Sequence, residues 1–304
     1  MFKQLTVFKL AQGVTLPSLD DLDAMLAASA FVPVGPTQEF SCGFIPPRGF
    51  EHGQMVELVA GQRILAVAIE TKSVPGAILR EKVAEVCQRI EEETGRKPGK
   101  KERRDISDEV LMSLLPVAFP KKEHIPVWID AERRLVVIGT ASASKVDSVT
   151  SLLISAVQDL AIQWMNTTTS PQAAMTQWLL AETPDDWPDN LNVERECVLQ
   201  STGDDGATVK FAKHSLANDE VRKHVTEGKL PTALAMSWDG RVSFVLTDSL
   251  TFKKVQFLDG VMDGGDEHED RFDADVALAT GQIGPMLDDL VYALGGEFVA
   301  GGEA

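Results

Sequence analysis

The chain has 304 residues, of which 44% are hydrophobic and 25% are charged, so it can bury a sizeable core in one or two domains. No stretch approaches the ~20 apolar residues of a membrane-spanning helix, and the amino terminus lacks the apolar run of a secretion signal, so we expect a cytoplasmic protein. The net charge of −17 argues against a nucleic-acid partner only if charge is evenly spread, because a protein can gather its cations on one surface.

Residues 1–75 predict a β-α-β-β unit. A strand is indicated over residues 5–10, and a helix follows from about Ser18, whose hydroxyl can cap the first turn. Two more strands are predicted at 55–60 and 63–70, joined by a turn.

Residues 76–122 predict a projecting helical hairpin. Apolar residues recur at helical spacing from Ala77, and Gly95 ends this first helix. A second helix is predicted over 107–115, with Ser107 as its cap and Pro116 as its stop. The hairpin interrupts a central α/β region composed of residues 1–75 and 123–170.

The remaining chain completes an α+β fold with mixed or antiparallel sheets and packed helices. Strands at 126–130 and 134–139 and a helix at 144–160 finish the central region. Residues 171–304 form a carboxy-terminal α+β region that begins with a short helix around Trp178. Its predicted strands are 197–200, 208–213, 233–238, 242–246 and 251–257, and its predicted helices are 218–226 and 283–294.

Cations are concentrated at the predicted break between the hairpin helices. Residues 94–104 contain one acid and six cations, which are Arg96, Lys97, Lys100, Lys101, Arg103 and Arg104. Such a segment is either a solvated loop or a grip on phosphates that reads no bases. Further predicted DNA-binding cations are Lys121, Lys122, Lys210 and Lys213. Residues 259–275, by contrast, contain eight acids and only Arg271 as a cation.

No catalytic motif is found. Residues 264–270 resemble a metal loop in composition but lack the ligand spacing of an EF-hand, and the five histidines are scattered. No nucleophile elbow or phosphate-binding glycine loop is present. Cys42, Cys87 and Cys197 are widely separated, so we expect reduced, buried or half-buried thiols. The sequence therefore predicts no catalytic residues, no metal and no cofactor.

Six blocks of sequence resemble the recombination-associated RdgC family, in the order and approximate spacing of that family. They are FVP at 31–33 with GFIPP at 43–47, DEVLMSLLPVAF at 108–119, VWID at 127–130, ALAMSW at 233–238, RFDAD at 271–275 and LGGE at 294–297. The resemblance covers nearly the whole chain.

The resemblance implies a homodimeric ring that encircles duplex DNA without base specificity. It also implies a nucleoid location and restraint of RecA-promoted recombination through occupation of the DNA. In this family the helical hairpin forms the tip of the protomer. The contact between tips that closes the ring, here called the gate, contains an aromatic that falls on Phe119. Its polar partners fall on Lys213 and His214, and a basic tip residue falls on Arg96. The family pattern has two lysines before a glutamine, whereas this chain has Ala212, Lys213 and His214.

Three alternatives stay open at this point. Phe119 could be a core aromatic beneath the hairpin, since large apolar residues are usually buried. The protein could be an adaptor that contacts recombination factors without binding DNA. It could also be a metal-dependent nuclease.

Overall fold

The computed structural model describes residues 1–49, 52–203, 206–258 and 268–298, with side chains of 268–270 left aside. The side chains of segment 264–270, considered above as a metal loop, and most of those of the acidic segment 259–275 thus lie outside the described residues. In the described part of the chain no helix is long and apolar enough to cross a membrane.

Strands account for most of the core. They are β1 Leu5–Leu10, β2 Phe40–Ile45, β3 Val56–Val59, β4 Gln62–Lys72, β5 Pro120–Asp130, β6 Leu135–Ile138, β7 Ile162–Trp164, β8 Leu191–Ser201, β9 Thr208–Ala212, β10 Lys229–Trp238, β11 Val242–Thr247 and β12 Thr251–Phe257.

These strands form one sheet of order β2-β4-β5-β6-β1-β12-β11-β10-β8-β9, with β3 paired to β4 and β7 paired to β1. Every pair of described strands runs antiparallel, so the parallel component of a mixed sheet is not found. The predicted α+β class is confirmed. The sheet is continuous because β1 pairs with β6 on one side and with β12 on the other.

Seven α-helices are described. They are α1 Leu19–Ala27, α2 Gly76–Thr94, α3 Lys100–Leu114, α4 Ala143–Ala156, α5 Pro171–Leu180, α6 Asp219–Thr226 and α7 His268–Ala293. Polar side chains cap three of them. Ser18 accepts from the Asp21 amide as the sequence predicts, and Ser170 and Asn218 accept from the amides of Ala173 and Val221.

Two hydrophobic clusters lie on opposite faces of the sheet, and alternation along β1 separates them. Phe8 and Leu10 belong to the cluster covered by α1 and α4, whereas Leu5 and Val7 belong to the cluster covered by α5, α6 and α7. Burial of one such side chain stabilises the fold by about 1.5–3 kcal/mol. The amino-terminal strands are therefore covered on both faces, and this fixes the platform from which the hairpin extends.

The helices α2 and α3 are inserted at the end of the long β4–β5 ladder. This ladder runs from Arg63 opposite Ile129 to Lys72 opposite Pro120. The two helices contact each other, and no residue of α2 is buried. The predicted pair of helices is thus present, but its second helix begins at Lys100 and not at Ser107. Ser107 lies within α3 and is not its cap.

Other boundaries also differ from those predicted. β5 begins at Pro120, so Lys121 and Lys122 are strand residues and not part of the predicted helical hairpin. The strands β2 and β7 were not predicted, and α7 starts at His268 rather than at Ile283. β9 ends at Ala212, which leaves Lys213 outside the strand.

Candidate nucleic-acid interface

The turn between α2 and α3 is organised around Glu102. Gly95 ends α2 in the left-handed conformation at φ 71°, which a glycine adopts without steric cost. Arg96 donates two hydrogen bonds to the Glu102 carboxylate, at 2.8 and 3.2 Å, and the Gly99 amide donates a third at 3.3 Å. The Arg96 hydrogen bond is the main reason that the pKa of Glu102 is lowered. The only acid of the cationic segment is therefore used to close the turn.

Four cations of the segment stand at the start of α3 and are exposed: Lys100, Lys101, Arg103 and Arg104. None forms an ion pair with a carboxylate of the described residues. Lys100 lies three residues from Arg103 and four from Arg104, so these side chains are neighbours on the helix surface. A helix favours anions at its amino terminus, and like charges on neighbouring positions repel. This arrangement is unfavourable for the free chain and suits an anionic ligand.

The other two cations of the segment are paired. Arg96 is held by Glu102, and the Lys97 amino group lies 3.8 Å from the Glu91 carboxylate. Both side chains remain more than half exposed, at 63% and 80%. Solvent screening makes such surface pairs weak, so a phosphate can compete for either cation.

The two cations of β5 have different partners. Lys121 lies 2.8 Å from Glu123, which also pairs with Lys145 at the start of α4. Hydrogen bonds from Lys121 and Lys145 lower the pKa of Glu123 to about 2. The amino group of Lys122 lies over the ring of Phe31, 4.4 Å from its centre, in a cation–π contact.

The cations of the carboxy-terminal sheet flank Glu196. Lys210 on β9 and Lys254 on β12 lie 3.5 and 2.7 Å from this carboxylate, and the Lys254 hydrogen bond is the main cause of its lowered pKa. Lys254 and Lys145 were missed by sequence reasoning. For Lys254 the available signal was the pair of adjacent lysines 253 and 254 in a predicted strand. Lys145 is a single lysine in an amphipathic helix, and the sequence gave no signal for it.

Lys213 and His214 lie just after β9. Lys213 has φ 56°, and its carbonyl accepts a hydrogen bond of 3.0 Å from Arg195. The His214 Nδ1 lies 2.7 Å from the Ser215 carbonyl oxygen, and its ring packs on Phe211. Both side chains are exposed, but the His214 ring is already engaged by its own loop.

Phe119 is 92% exposed at the base of the hairpin, between α3 and β5. The alternative that it is a core aromatic is therefore wrong. Three more exposed apolar residues lie at the same end of the hairpin: Ile78, Met112 and Val117. Since α3 has 15 residues, it spans roughly 22 Å. Phe119 and the Arg96 turn thus lie at opposite ends of the hairpin.

Metal-binding side chains do not cluster among the described residues. No group of three or more His, Cys, Asp or Glu side chains there is placed to hold a metal ion. The three thiols form no disulfide with one another, and Cys197 is buried while Cys42 and Cys87 are half-buried, as the sequence predicts. Burial raises the pKa of Cys197 to about 12 and that of Cys42 to about 11.

Comparison with known proteins decides the family. The family model described as "Putative exonuclease, RdgC" matches residues 1–297. The chain belongs to the RdgC family. It is 38% identical over 300 residues to the recombination-associated protein RdgC of Janthinobacterium sp. strain Marseille, a match that covers 97% of this chain and 98% of that protein. The RdgC proteins of Herminiimonas arsenicoxydans and Bordetella pertussis are 37% and 36% identical with the same coverage. The predicted family membership is confirmed.

Proposed function

We propose that this RdgC family member binds double-stranded DNA without sequence preference, through the cations at the start of α3. The observation that supports this most directly is the exposed group Lys100, Lys101, Arg103 and Arg104, which has no ion pair with any described carboxylate. Duplex DNA is a dense polyanion, and its binding releases counterions when lysine and arginine contact phosphates. The name of the relatives, recombination-associated protein, agrees with a DNA ligand.

The chemistry of the group favours backbone contacts over base reading. Lysine is a mobile point charge, and neither Asn nor Gln, the usual readers of adenine, lies among residues 95–105. The net charge of −17 does not oppose this proposal, because residues 94–104 contain six cations and one acid.

The second part of the proposal is a homodimeric ring that encloses the duplex. Its support is the group of exposed apolar residues at the hairpin base, Ile78, Met112, Val117 and Phe119. Exposed apolar side chains that lie together are typical of interaction surfaces, and a central aromatic often contributes most of the interface energy. Phe119, with the polar Lys213 and His214 of the second protomer, would form the gate.

A ring on the duplex would limit RecA-dependent recombination by occupying the DNA, and would locate the protein to the nucleoid. We propose that binding, not catalysis, produces this effect. The test combines three measurements on the full chain: the mass in solution, the affinity for two unrelated duplexes over a salt series, and RecA-promoted strand exchange with and without the protein.

We expect a dimer, salt-dependent binding to both duplexes, and inhibition of strand exchange at protein concentrations that cover the DNA. A monomer at those concentrations would contradict the ring. Inhibition without measurable duplex binding would favour the adaptor, and release of nucleotides upon addition of magnesium or manganese would favour the nuclease that the family description suggests.

A further inference from the structure

The helical layer on one face of the sheet ends at a cleft. On this face α4 covers the amino-terminal strands with Val146 and Val149, and no helix of the described residues covers the strands beyond it. The cleft of about 430 Å³ lies where α4 begins. Its floor contains small and hydroxylated residues of four neighbouring strands: Thr6, Thr251, Thr247 and Ala233. The size suits one small ligand.

Trp164 forms one wall of this cleft. It lies on β7, opposite Phe8 of β1, and the centres of their rings are 4.4 Å apart. Its side chain lines the cleft and is nevertheless 51% exposed. Tryptophan is highly buried on average, and its flat aromatic surface is the strongest stacking platform among the side chains. The wall thus suits a planar ring.

Polar groups of the cleft are suited to a phosphate. Thr247 Oγ1 lies 2.6 Å from Thr251 Oγ1 and 3.1 Å from Ser249 Oγ, so three hydroxyls form one cluster. Lys253 also lines the cleft, is exposed, and has no ion pair with a carboxylate of the described chain. Its neighbour Lys254 pairs with Glu196 instead.

Two further groups complete the lining. Ala141 and Ala143 place the amino-terminal end of α4 at the cleft, and the Ser142 side chain makes no capping hydrogen bond there. Amides of a first helical turn add to the attraction of an anion. Asp248, between Thr247 and Ser249 in the chain, also lines the cleft and can accept hydrogen bonds from amino groups but not from a phosphate.

We propose that this cleft is a nucleotide-binding site, in which a base stacks on Trp164 and its phosphate meets Lys253 and the hydroxyl cluster. The site goes beyond duplex binding by the hairpin, because it recognises one unpaired nucleotide. This nucleotide is either free in solution or the phosphorylated 5′ end of a DNA strand.

The test measures binding of three probes to the full chain by calorimetry and tryptophan fluorescence: dAMP, and a short single-stranded oligonucleotide with or without a 5′-phosphate. Because base–aromatic stacking is substantial, Trp164→Ala should weaken binding by about fivefold or more. Trp164→Phe should retain most of the affinity. Lys253→Ala should remove the preference for a 5′-phosphate, whereas its matched control Lys254→Ala should keep it.

The controls separate this site from the hairpin. Tyr292→Ala removes an exposed aromatic outside the cleft and should bind the probes normally. Replacement of the four α3 cations by alanine should weaken duplex binding and leave probe binding intact. Binding of dAMP identifies a free nucleotide, and binding of the 5′-phosphorylated oligonucleotide alone identifies a strand end. No binding of any probe, or equal binding by folded Trp164→Ala and Lys253→Ala variants, overturns the proposal.

Discussion

Glu102 and Arg96 join the two ends of the turn between α2 and α3 through a bidentate ion pair, with N–O distances of 2.8 and 3.2 Å. The pair neutralises the only acid among residues 94–104. The field at the start of α3 is consequently set by Lys100, Lys101, Arg103 and Arg104. The consequences for DNA binding can be measured.

The first prediction concerns these four cations. Their joint replacement by alanine should weaken binding to every duplex and lower the slope of log affinity against log salt by roughly one unit per lost phosphate contact. The free energy of unfolding should not fall, because cations at a helix amino terminus oppose its dipole. Fluorescence anisotropy over a salt series and thermal unfolding measure both effects.

A matched control lies on the same hairpin. Arg80 donates to the Gly76 carbonyl, and Lys82 pairs with Glu85, so these two cations of α2 are already engaged. Their replacement by alanine should change the salt slope less than the α3 replacements. Equal slopes for wild type and the fourfold α3 variant would remove this helix from the DNA surface.

The second prediction is that binding is independent of base sequence. Duplexes of equal length and different sequence should compete equally, because the α3 cations offer charge and no amide pair for adenine. Competition titrations against a labelled duplex measure the preference. A difference of several kcal/mol, well above the ~1–3 kcal/mol of one bidentate base contact, would show direct reading of bases.

The third prediction concerns Glu123, which lies between Lys121 and Lys145. Its pKa of about 2 is below the ordinary value of 4.5, so its ionised form stabilises the fold above pH 4.5, and this contribution is lost as the pH falls toward 2. In Glu123→Gln the free energy of unfolding should therefore depend less steeply on pH between 4.5 and 2. Chemical unfolding at several pH values measures this slope.

The same variant frees two cations at neutral pH. If Lys121 contacts DNA, Glu123→Gln should bind duplexes more tightly, with a steeper salt dependence. Glu132→Gln is the control, since Glu132 is exposed and has no ion pair with the described residues. An acid dependence identical to that of wild type would mean that the two lysines do not stabilise the Glu123 carboxylate.

The prediction of a second hairpin helix succeeded, but its start was missed by seven residues. The run from Lys97 to Arg104 has the composition of a solvated loop, and Ser107 is a favourable cap. In the structure the cap is supplied from inside the helix, because Glu102 accepts from the Gly99 amide. Glu102 is held in this position by its hydrogen bond to Arg96, and helix propensities do not take such a contact into account.

β2 was hidden by its glycine and the prolines around it. A Cβ on Gly43 would lie 2.4 Å from the Phe31 Cα, so only glycine allows the segment before β2 to pack there. Phe31 and Phe44 are joined by a backbone hydrogen bond of 2.8 Å. This close approach is a tertiary contact that the local sequence does not show. Glycine and proline residues in the local sequence indicate a turn instead.

α7 is a second element whose start was missed. The sequence predicts a helix that begins at Ile283, next to Gly284 and Pro285. The helix in fact continues through Pro285 from His268. Gly284 faces the guanidinium of Arg133, which pairs with Asp288 of the helix and with the fully buried Asp130 of β5. The glycine thus serves the packing of α7 on the sheet. The candidate sites show the same limit of local sequence. The density of charge was sufficient to predict the α3 cations, whereas the roles of Lys145 and Trp164 follow from tertiary contacts between strands and helices.

The last prediction is that Phe119→Ala opens the ring without unfolding the protomer. Phe119 is 92% exposed, so its loss should change the free energy of unfolding by no more than about 0.5 kcal/mol, the range of ordinary surface substitutions. A central aromatic at a small interface can contribute ~2 kcal/mol or more, which is enough to weaken the gate.

A ring with two contacts stays dimeric when one of them opens. We therefore expect a folded dimer that leaves closed circular DNA faster than wild type does, and that leaves linear duplex at an unchanged rate. Circular dichroism, sedimentation and dissociation kinetics test the three parts together, with Tyr292→Ala as a control that removes an exposed aromatic elsewhere. Unchanged retention on circles would place the gate away from Phe119, and a monomeric variant would mean that Phe119 holds the whole dimer.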